Sequence, residues 1–160
     1  MDDAAANAAL INRLYEAFAR TDGEAMAACY APNAHFSDPV FTDLNGPEVG
    51  AMWRMLCERA SDLEIVHSAV EADGARGSAH WEADYTFRTG RKVHNVIDAG
   101  FRFEDGLIAD HIDSFDLWKW TRQALGPIGV VLGWSPPVQG KIRSEADAGL
   151  REFMAADRAA

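Results

Sequence analysis

The spacing of apolar residues predicts three helices in roughly the first third of the chain. One stripe of residues 4–20 is apolar at helical spacing, which indicates an amphipathic helix. The stripe consists of Leu10, Ile11, Leu14, Tyr15 and Phe18. A short second helix is expected to end near Tyr30, and a third begins at Gly46-Pro47-Glu48, where proline suits the first turn. Between them, residues 35–39 predict a short strand that ends at a proline.

After Ser61-Asp62 the apolar pattern changes from helical to alternating, and this change predicts a sheet. Four strands are expected, at residues 63–70, 77–88, 92–104 and 107–115. They are joined by Asp73-Gly74, Thr89-Gly90 and Asp105-Gly106, pairs that are typical of tight turns. Helices followed by a long antiparallel meander predict an α+β domain in which the helices lie on one face of a curled sheet.

The last part of the chain extends beyond this meander. Residues 116–125 predict a helix, and proline and glycine residues bracket an apolar segment at residues 128–134. A final amphipathic helix follows, with Ile142, Leu150 and Phe153 on one side. We therefore divide the chain into a domain at residues 1–125 and a C-terminal extension at residues 126–160. The extension is expected to pack either on its own domain or on a dimer partner.

Composition narrows the possible partners. The chain has 160 residues and is 48% hydrophobic, which suffices for one core, and its net charge is −10. That charge argues against nucleic acid and against anionic membrane surfaces, because both require clustered Lys and Arg. Cys29 and Cys57 lack the spacing of metal ligands, and we expect them to be reduced and buried in a cytoplasmic protein. The N-terminal residues lack a signal-peptide pattern, and no apolar run is long enough to span a membrane.

Several short segments between about residues 8 and 120 carry a resemblance to a known family: Tyr15-Glu16-Ala17-Phe18, Cys29-Tyr30-Ala31-Pro32-Asn33-Ala34, Phe36-Ser37-Asp38-Pro39, Glu104-Asp105-Gly106-Leu107-Ile108 and Asp113-Ser114-Phe115-Asp116-Leu117. Together with the order of the predicted elements, they resemble the nuclear transport factor 2-like superfamily. This group includes ketosteroid isomerase, limonene epoxide hydrolase and the SnoaL-like polyketide cyclases. The resemblance implies a cone-shaped, strongly curved antiparallel sheet packed against N-terminal helices, with a pocket for a small, largely apolar molecule, and frequent homodimers.

Asp38 is the first candidate for acid/base chemistry. It follows Phe36 at the end of the first predicted strand, where a short polar side chain often caps a turn. The segment Ser-Asp-Pro-Val also resembles the isomerase segment that carries the general-base aspartate. A carboxylate among groups such as Phe36 and Trp53 is expected to have a raised pKa, which base catalysis near neutral pH requires.

Asp98 is the second candidate, because it lies within an apolar strand sequence. An acid between Ile97 and Ala99 must face water, be paired or be protonated. Val-Ile-Asp resembles the isomerase segment that bears the protonated oxyanion-hole aspartate. If Asp98 faces the pocket, Ile97 faces outward, under a helix or a dimer partner. The isomerases also use a tyrosine of the first helix, whose matching position here is Leu14, with Tyr15 next to it.

A second alignment, from residue 80 to 117, resembles the epoxide hydrolase and suggests an alternative. The hydrolase uses an Arg, Asp and Asp group, whose last member matches Asp113 and whose first two fall on His80 and Glu82. In this interpretation a carboxylate activates water and an acid protonates the epoxide oxygen.

Alternation along the strands groups the candidates into three sets, which a curled sheet would bring together around one cavity. No compact ligand motif is present, so we predict histidines satisfied by hydrogen bonds, with neither a metal nor a cofactor. The three sets are His80, Glu82 and Asp84; His94, Val96 and Asp98; and His111, Asp113 and Phe115. The predicted catalytic residues are Asp38, Asp98 and Asp113. The predicted substrate-binding residues are Tyr15, Phe36, Trp53, His80, Glu82, His94 and Phe115.

Two classes of function follow from these residues. The first is an enzyme that shuttles a proton next to a carbonyl (isomerisation or cyclisation) or hydrates an epoxide. The second is a non-catalytic module that binds a metabolite or forms dimers. Aspartates that point to bulk water would favour the second class.

Overall fold

The computed structural model describes residues 3–159, which form six helices and six strands. The helices are α1 (Asp3–Ala19), α2 (Gly23–Ala27), α3 (Pro47–Arg59), α4 (Leu117–Leu125), α5 (Pro127–Leu132) and α6 (Pro136–Ala159). The strands are β1 (Tyr30–Ser37), β2 (Leu44–Asn45), β3 (Glu64–Ala72), β4 (Arg76–Thr86), β5 (Lys92–Glu104) and β6 (Leu107–Ser114).

The strands form one curved sheet that does not close into a barrel. Their order is β2-β1-β6-β5-β4-β3, and the predicted α+β fold class is confirmed. The four long strands of the meander are antiparallel, whereas β1 pairs with β6 in parallel. This parallel pair joins two segments that lie far apart in sequence, because the whole meander separates them.

Strand β1 begins earlier than its sequence pattern predicts. It starts at Tyr30 instead of residue 35, and it contains Pro32. The β1–β6 register shifts between Tyr30 and His35, so Pro32 lies where the ladder is irregular and its missing N–H is tolerated. Asp38 lies just after the strand, at the start of a loop.

Close helix packing and side-chain caps hold the N-terminal helices over the sheet. The Asp22 side chain caps α2 by accepting from the Ala25 N–H at 3.0 Å. A Cβ atom at Gly23 would lie 2.7 Å from the Arg54 Cα, so glycine allows α2 to approach α3. Helix α3 begins with Pro47 in its first turn, as predicted.

The core lies between α1, α3 and the inner face of the sheet. Strand β5 alternates regularly, and its inward residues include Ile97, Ala99 and Phe101. The inward orientation of Asp98, which would have placed Ile97 on the outside, is therefore wrong, because Asp98 occupies the outer face and Ile97 is buried. Cys29 and Cys57 are free and buried, as predicted, although Cys29 lies between α2 and β1, outside any helix.

The C-terminal helices pack on their own chain at two places. Leu117, Trp120 and Ala124 of α4 form a small second cluster with Val93 of β5. Helix α6 returns along α3 and buries Leu150 in the main core. Within residues 3–159, every helix is too short or too polar to cross a lipid bilayer.

Candidate functional site

A continuous chain of hydrogen bonds lies inside the cone, between β1 and β6. The Asp113 Oδ1 lies 2.8 Å from the His111 Nε2, and the His111 Nδ1 lies 2.7 Å from the Tyr30 hydroxyl. The side chain of Asp113 is only 2% exposed and that of His111 is fully buried. Two indoles complete the network: Trp53 donates to the Tyr30 oxygen at 2.9 Å, and Trp81 donates to Asp113 at 3.3 Å.

The direction of these bonds follows from the donors available. Because Trp53 donates to the Tyr30 oxygen, the tyrosine's own proton is free to be donated to the His111 Nδ1. The His111 Nε2 then carries the imidazole proton and donates it to Asp113. With the Tyr30 proton donated to Nδ1 and the Nε2 proton donated to Asp113, every donor in the chain has an acceptor, so we assign this tautomer.

Tyr15 of α1 also points into the cone and is fully buried. Its ring stacks on His67 with centroids 5.3 Å apart. Among the described residues its hydroxyl has no hydrogen-bond partner. Burial raises the pKa of Tyr15 well above its usual value, and the charges of Asp113 and Tyr30 raise it further. The hydroxyl is therefore a protonated donor that is free to bind another oxygen.

Asp38 lies at the end of the cone where β1 ends and the loop before β2 begins. It is half-buried, and its Oδ1 accepts from the backbone N–H groups of Val40 and Phe41 at 2.7 and 2.6 Å. Loss of solvent around the carboxyl raises the pKa of Asp38 to about 7, against the effect of these two bonds. The charge of Asp113 raises this pKa further, so Asp38 lies within electrostatic reach of the buried chain.

Helix α4 covers the end of the cone at Asp38. Tyr85 and Phe115 pack against both the main core and the small cluster under α4. The Trp120 indole donates to the Tyr85 hydroxyl at 2.7 Å. Burial raises the pKa of Tyr85, and Asp38 contributes to this shift, which places the carboxyl close to the junction of the two clusters.

Aromatic rings fill much of the cone interior. The Phe36 ring meets His111 edge-on with centroids 4.9 Å apart, and the Trp53 ring stacks on His111 at 6.1 Å. Two surface depressions, of about 220 and 350 Å³, lie elsewhere, beside α2–α3 and on the outer face of the sheet. The predicted interior pocket therefore stays a prediction.

Four of the predicted site residues lie on the outer face of the sheet. The Asp98 side chain is 81% exposed and accepts from His80 at 3.0 Å. His80 also contacts Glu82 at 3.2 Å, and His94 bridges Glu82 at 3.1 Å and Asp84 at 2.7 Å. The hydrogen bond to Asp98 is the main cause of the raised pKa of His80. The expected convergence of all three sets on one cavity is thus wrong, because β4 and β5 turn these groups outward.

The register of β4 explains why the hydrolase-like group is not assembled. His80 and Glu82 lie on the outer face, whereas Asp113 is inside. The inward residues of β4 are Ala79, Trp81 and Ala83, so the residue of this strand that reaches Asp113 is Trp81.

Sequence reasoning missed Tyr30 and Trp81 as site residues and only grouped His111 with Asp113. The signal for Trp81 was available in the alternation of β4, where large and small apolar residues share one face. No local signal links Tyr30 to His111, because they are 81 positions apart and meet through the β1–β6 pairing. Within residues 3–159, no cluster of three or more His, Cys, Asp or Glu side chains is arranged to hold a metal ion.

The profile of the SnoaL-like domain family matches residues 11–111, more than half of the chain. The chain belongs to the SnoaL-like domain family. The matched region includes Tyr15, Tyr30, Asp38 and His111, and it ends before Asp113 and the C-terminal helices. A comparison of this SnoaL-like chain with curated proteins gives no match.

Solved structures share the fold of this SnoaL-like chain at low sequence identity. An LEH-like epoxide hydrolase from M. tuberculosis is 18% identical with a TM-score of 0.66, over 81% of this chain and 97% of the other. A Jannaschia protein assigned as a SnoaL-like polyketide cyclase is 17% identical with a TM-score of 0.67, over 78% and 94%. A Kribbella flavida protein assigned as a ketosteroid isomerase is 17% identical with a TM-score of 0.56, over 72% and 82%. These similarities establish the fold.

Proposed function

We propose that this SnoaL-like chain is an acid/base enzyme that moves a proton next to a carbonyl of a small, largely apolar molecule. The observation that carries the proposal is the Asp38 carboxyl, whose pKa is raised to about 7 beside the buried Asp113–His111–Tyr30 chain. A base with a pKa near the working pH is both available in its ionised form and strong enough to accept a proton from carbon.

In the proposed reaction Asp38 takes a proton from the carbon next to the carbonyl, and the electron pair moves to the carbonyl oxygen. The unpaired hydroxyl of Tyr15 donates a hydrogen bond to that oxygen as negative charge develops. Asp38 then returns the proton to another carbon, which completes an isomerisation. Alternatively, the enolate carbon attacks a second carbonyl and Asp38 returns the proton to the resulting alkoxide, which completes a cyclisation. Asp113 holds His111 in its tautomer and adds the negative charge that strengthens the base.

The alternatives have less support from the geometry. An epoxide hydrolase built on His80, Glu82 and Asp113 would need groups that lie on opposite faces of the sheet. Aspartates that face bulk water would favour a non-catalytic module. Asp98 faces water, but Asp113 is buried and hydrogen-bonded, so only one of the two supports this alternative. The names of the structural neighbours, which include a cyclase and an isomerase, are consistent with proton transfer on an apolar molecule.

Exchange of carbon-bound protons tests the base directly. In D₂O, the wild-type protein is expected to catalyse loss of the α-proton NMR signals from members of a panel of β,γ-unsaturated cyclic ketones and aromatic β-diketones. The exchange rate should rise with pH up to about 7 and level off above, as Asp38 ionises. Asp38→Asn should slow exchange about 10²- to 10⁴-fold, the usual contribution of a positioned base.

The matched control is Asp98→Asn, because Asp98 is an exposed aspartate on the other face of the sheet. This variant should exchange protons at the wild-type rate. Equal rates in wild type and Asp38→Asn, or a loss in Asp98→Asn, would contradict the assignment of the base.

The predicted homodimer stays a proposal. The outer face of the sheet exposes Val66 and Ile112, which a second copy would cover if dimers form there. Sedimentation velocity of the wild-type chain measures this directly, and a monomer at micromolar concentration would remove the proposal.

A further inference from the structure

Helix α5 and its flanks present an apolar surface to solvent. Ile128, Val130, Val131, Leu132, Trp134 and, on α4, Trp118 form this surface, which we call the α5 patch. Their exposed fractions range from 40 to 64%, which is unusual for large apolar side chains that lie next to one another in sequence.

Tight packing fixes the orientation of the α5 patch. A Cβ atom at Gly129 would lie 1.9 Å from the Thr121 carbonyl oxygen, and one at Gly133 would lie 2.0 Å from the Thr121 Oγ1. Gly129 of α5 and Gly133 directly after this helix therefore rest on α4, and the bulky residues are left on the solvent side. The Trp134 indole donates to the Val131 carbonyl at 2.9 Å, which anchors the end of the patch.

The charge of this part of the chain is opposite to that of the whole. No acidic residue occurs from Leu117 to Ser144, in a protein with 25 acidic residues and a net charge of −10. The same segment carries Lys119, Arg122, Lys141 and Arg143. The Arg122 guanidinium lies 4.6 Å from the centre of the Trp118 ring, so one of these cations adjoins the apolar surface itself.

We propose that the α5 patch binds the surface of a membrane that contains anionic lipids. Exposed Val, Ile, Leu and Trp side chains enter the region between head groups and acyl chains, while nearby Lys and Arg attract acidic head groups. Salt screens charges beyond about 10 Å, so the charges next to the patch count for more at such a surface than the net charge of the whole chain. The four cations of residues 117–144 outnumber the two acids that adjoin this segment, which are Asp116 at the start of α4 and Glu145, 3.9 Å from Lys141. The net charge of −10 argues against this partner for the chain as a whole. Binding at the α5 patch depends instead on the charges next to the patch.

A second copy of the chain fits the α5 patch less well. A symmetric dimer places the same segment of both copies face to face, and it would bring two acid-free, cationic segments together. A lipid surface supplies both the apolar layer and the negative charge. Because none of the described helices can span a bilayer, the proposed association is with the surface only.

Co-flotation of the full chain with vesicles tests the proposal. Two vesicle preparations are used, phosphatidylcholine alone and phosphatidylcholine with 30% phosphatidylglycerol, and we expect binding to the second and little to the first. Val131→Asp should weaken this binding about tenfold or more, because it places a charge where the exposed valine would enter the lipid. Lys119→Gln should weaken it about fivefold, the effect of one cation near an anionic surface.

Each variant has a matched control elsewhere on the surface. Val66 is 64% exposed, the same fraction as Val131, but lies on the sheet, so Val66→Asp should bind vesicles like the wild type. Arg20→Gln removes a surface cation outside the α5 patch and should have no effect either.

Four results would overturn the proposal. The first two are no binding to either vesicle preparation and equal binding to both. The third is an equal loss of vesicle binding in Val66→Asp and Val131→Asp. The fourth is self-association in sedimentation that Val131→Asp abolishes, while vesicle binding is absent. The last result would assign the α5 patch to a second copy of the chain.

Discussion

At the scale of single residues, two buried tyrosine hydroxyls in the cone differ in what they contact. The Tyr30 hydroxyl is bonded to both Trp53 and His111, whereas the Tyr15 hydroxyl has no partner within residues 3–159. A buried polar group without a partner destabilises the folded state, and a paired one leaves its partners unsatisfied when it is removed. The two hydroxyls are therefore expected to affect stability in opposite directions.

We predict that Tyr30→Phe lowers the free energy of unfolding by about 1–3 kcal/mol, because it leaves a buried indole N–H and a ring nitrogen unpaired. Tyr15→Phe is predicted to leave that free energy unchanged or to raise it by about 1 kcal/mol, because it removes an unpaired buried group. Urea unfolding of the two variants measures both values. A loss of stability in Tyr15→Phe as large as that in Tyr30→Phe would show that the Tyr15 hydroxyl is paired in solution.

At the scale of elements, the contact between α4 and α5 depends on glycine. The backbone and side chain of Thr121 occupy the space that a Cβ atom at Gly129 or Gly133 would need. By contrast, Gly140 of α6 has open space around its Cβ position, so the same substitution there meets no obstacle.

Gly129→Ala is predicted to lower the free energy of unfolding by about 1–3 kcal/mol, since α5 must move away from α4 to accept the methyl group. Gly140→Ala is predicted to raise it by about 0.5–1 kcal/mol, because alanine favours the helix and contacts nothing. Urea midpoints with unchanged slopes give the two values. Equal effects in both variants would mean that α5 does not rest on Thr121.

The main helices, the strands of the meander and the acid at the end of β1 were predictable because they follow from local signals, whereas β2 and α5 were not predicted. Alternation, turn pairs and the proline after Asp38 lie within a few residues of the features that they indicate. Two signals in the sequence disagree about which face of the sheet carries Asp98. Alternation with Ile97 and Ala99 indicates the outer face, whereas the resemblance to the isomerase indicates the inner one. In the structure the packing of Ile97 in the core decides it.

The buried chain could not be predicted from local pattern. It requires β1 to pair in parallel with β6, with Phe36 opposite His111 and a shift in register near Tyr30. Nothing in the residues around Tyr30 specifies that shift, because it depends on where the meander ends. Tyr30 and His111 are thus recognisable as partners only after the sheet is assembled.

At the scale of the whole molecule, several shifted groups act on stability in the same direction between pH 5 and 8. The pKa of Asp38 is raised from 3.8 to about 7, so ionisation is harder in the folded state and a penalty grows as pH rises through this range. The pKa values of His35 and His80 are raised chiefly by hydrogen bonds to Asp110 and Asp98. Their stabilising effect is complete below pH 6.5 and is lost as pH rises through their folded-state pKa values.

The free energy of unfolding is therefore predicted to fall as pH increases from 5 to 8. Asp38→Asn should reduce this fall and stabilise the protein at pH 8 by on the order of 2 kcal/mol, after allowance for its partial exposure. Asp105→Asn, in an exposed turn, is the control and should leave the pH dependence unchanged. Urea unfolding at four pH values measures the slope, and stability that rises toward pH 8 would contradict the raised pKa of Asp38.

The two indoles that donate into the buried chain give the protein an optical probe of its own interior. Trp53 and Trp81 are buried and bonded to Tyr30 and Asp113, whereas Trp118 and Trp134 face solvent. Blue-shifted emission from the first pair and red-shifted emission from the second are therefore separable without a label. Emission at the red edge of the tryptophan band would report on the surface, and emission at its blue edge on the cone interior and on Trp120 under α4.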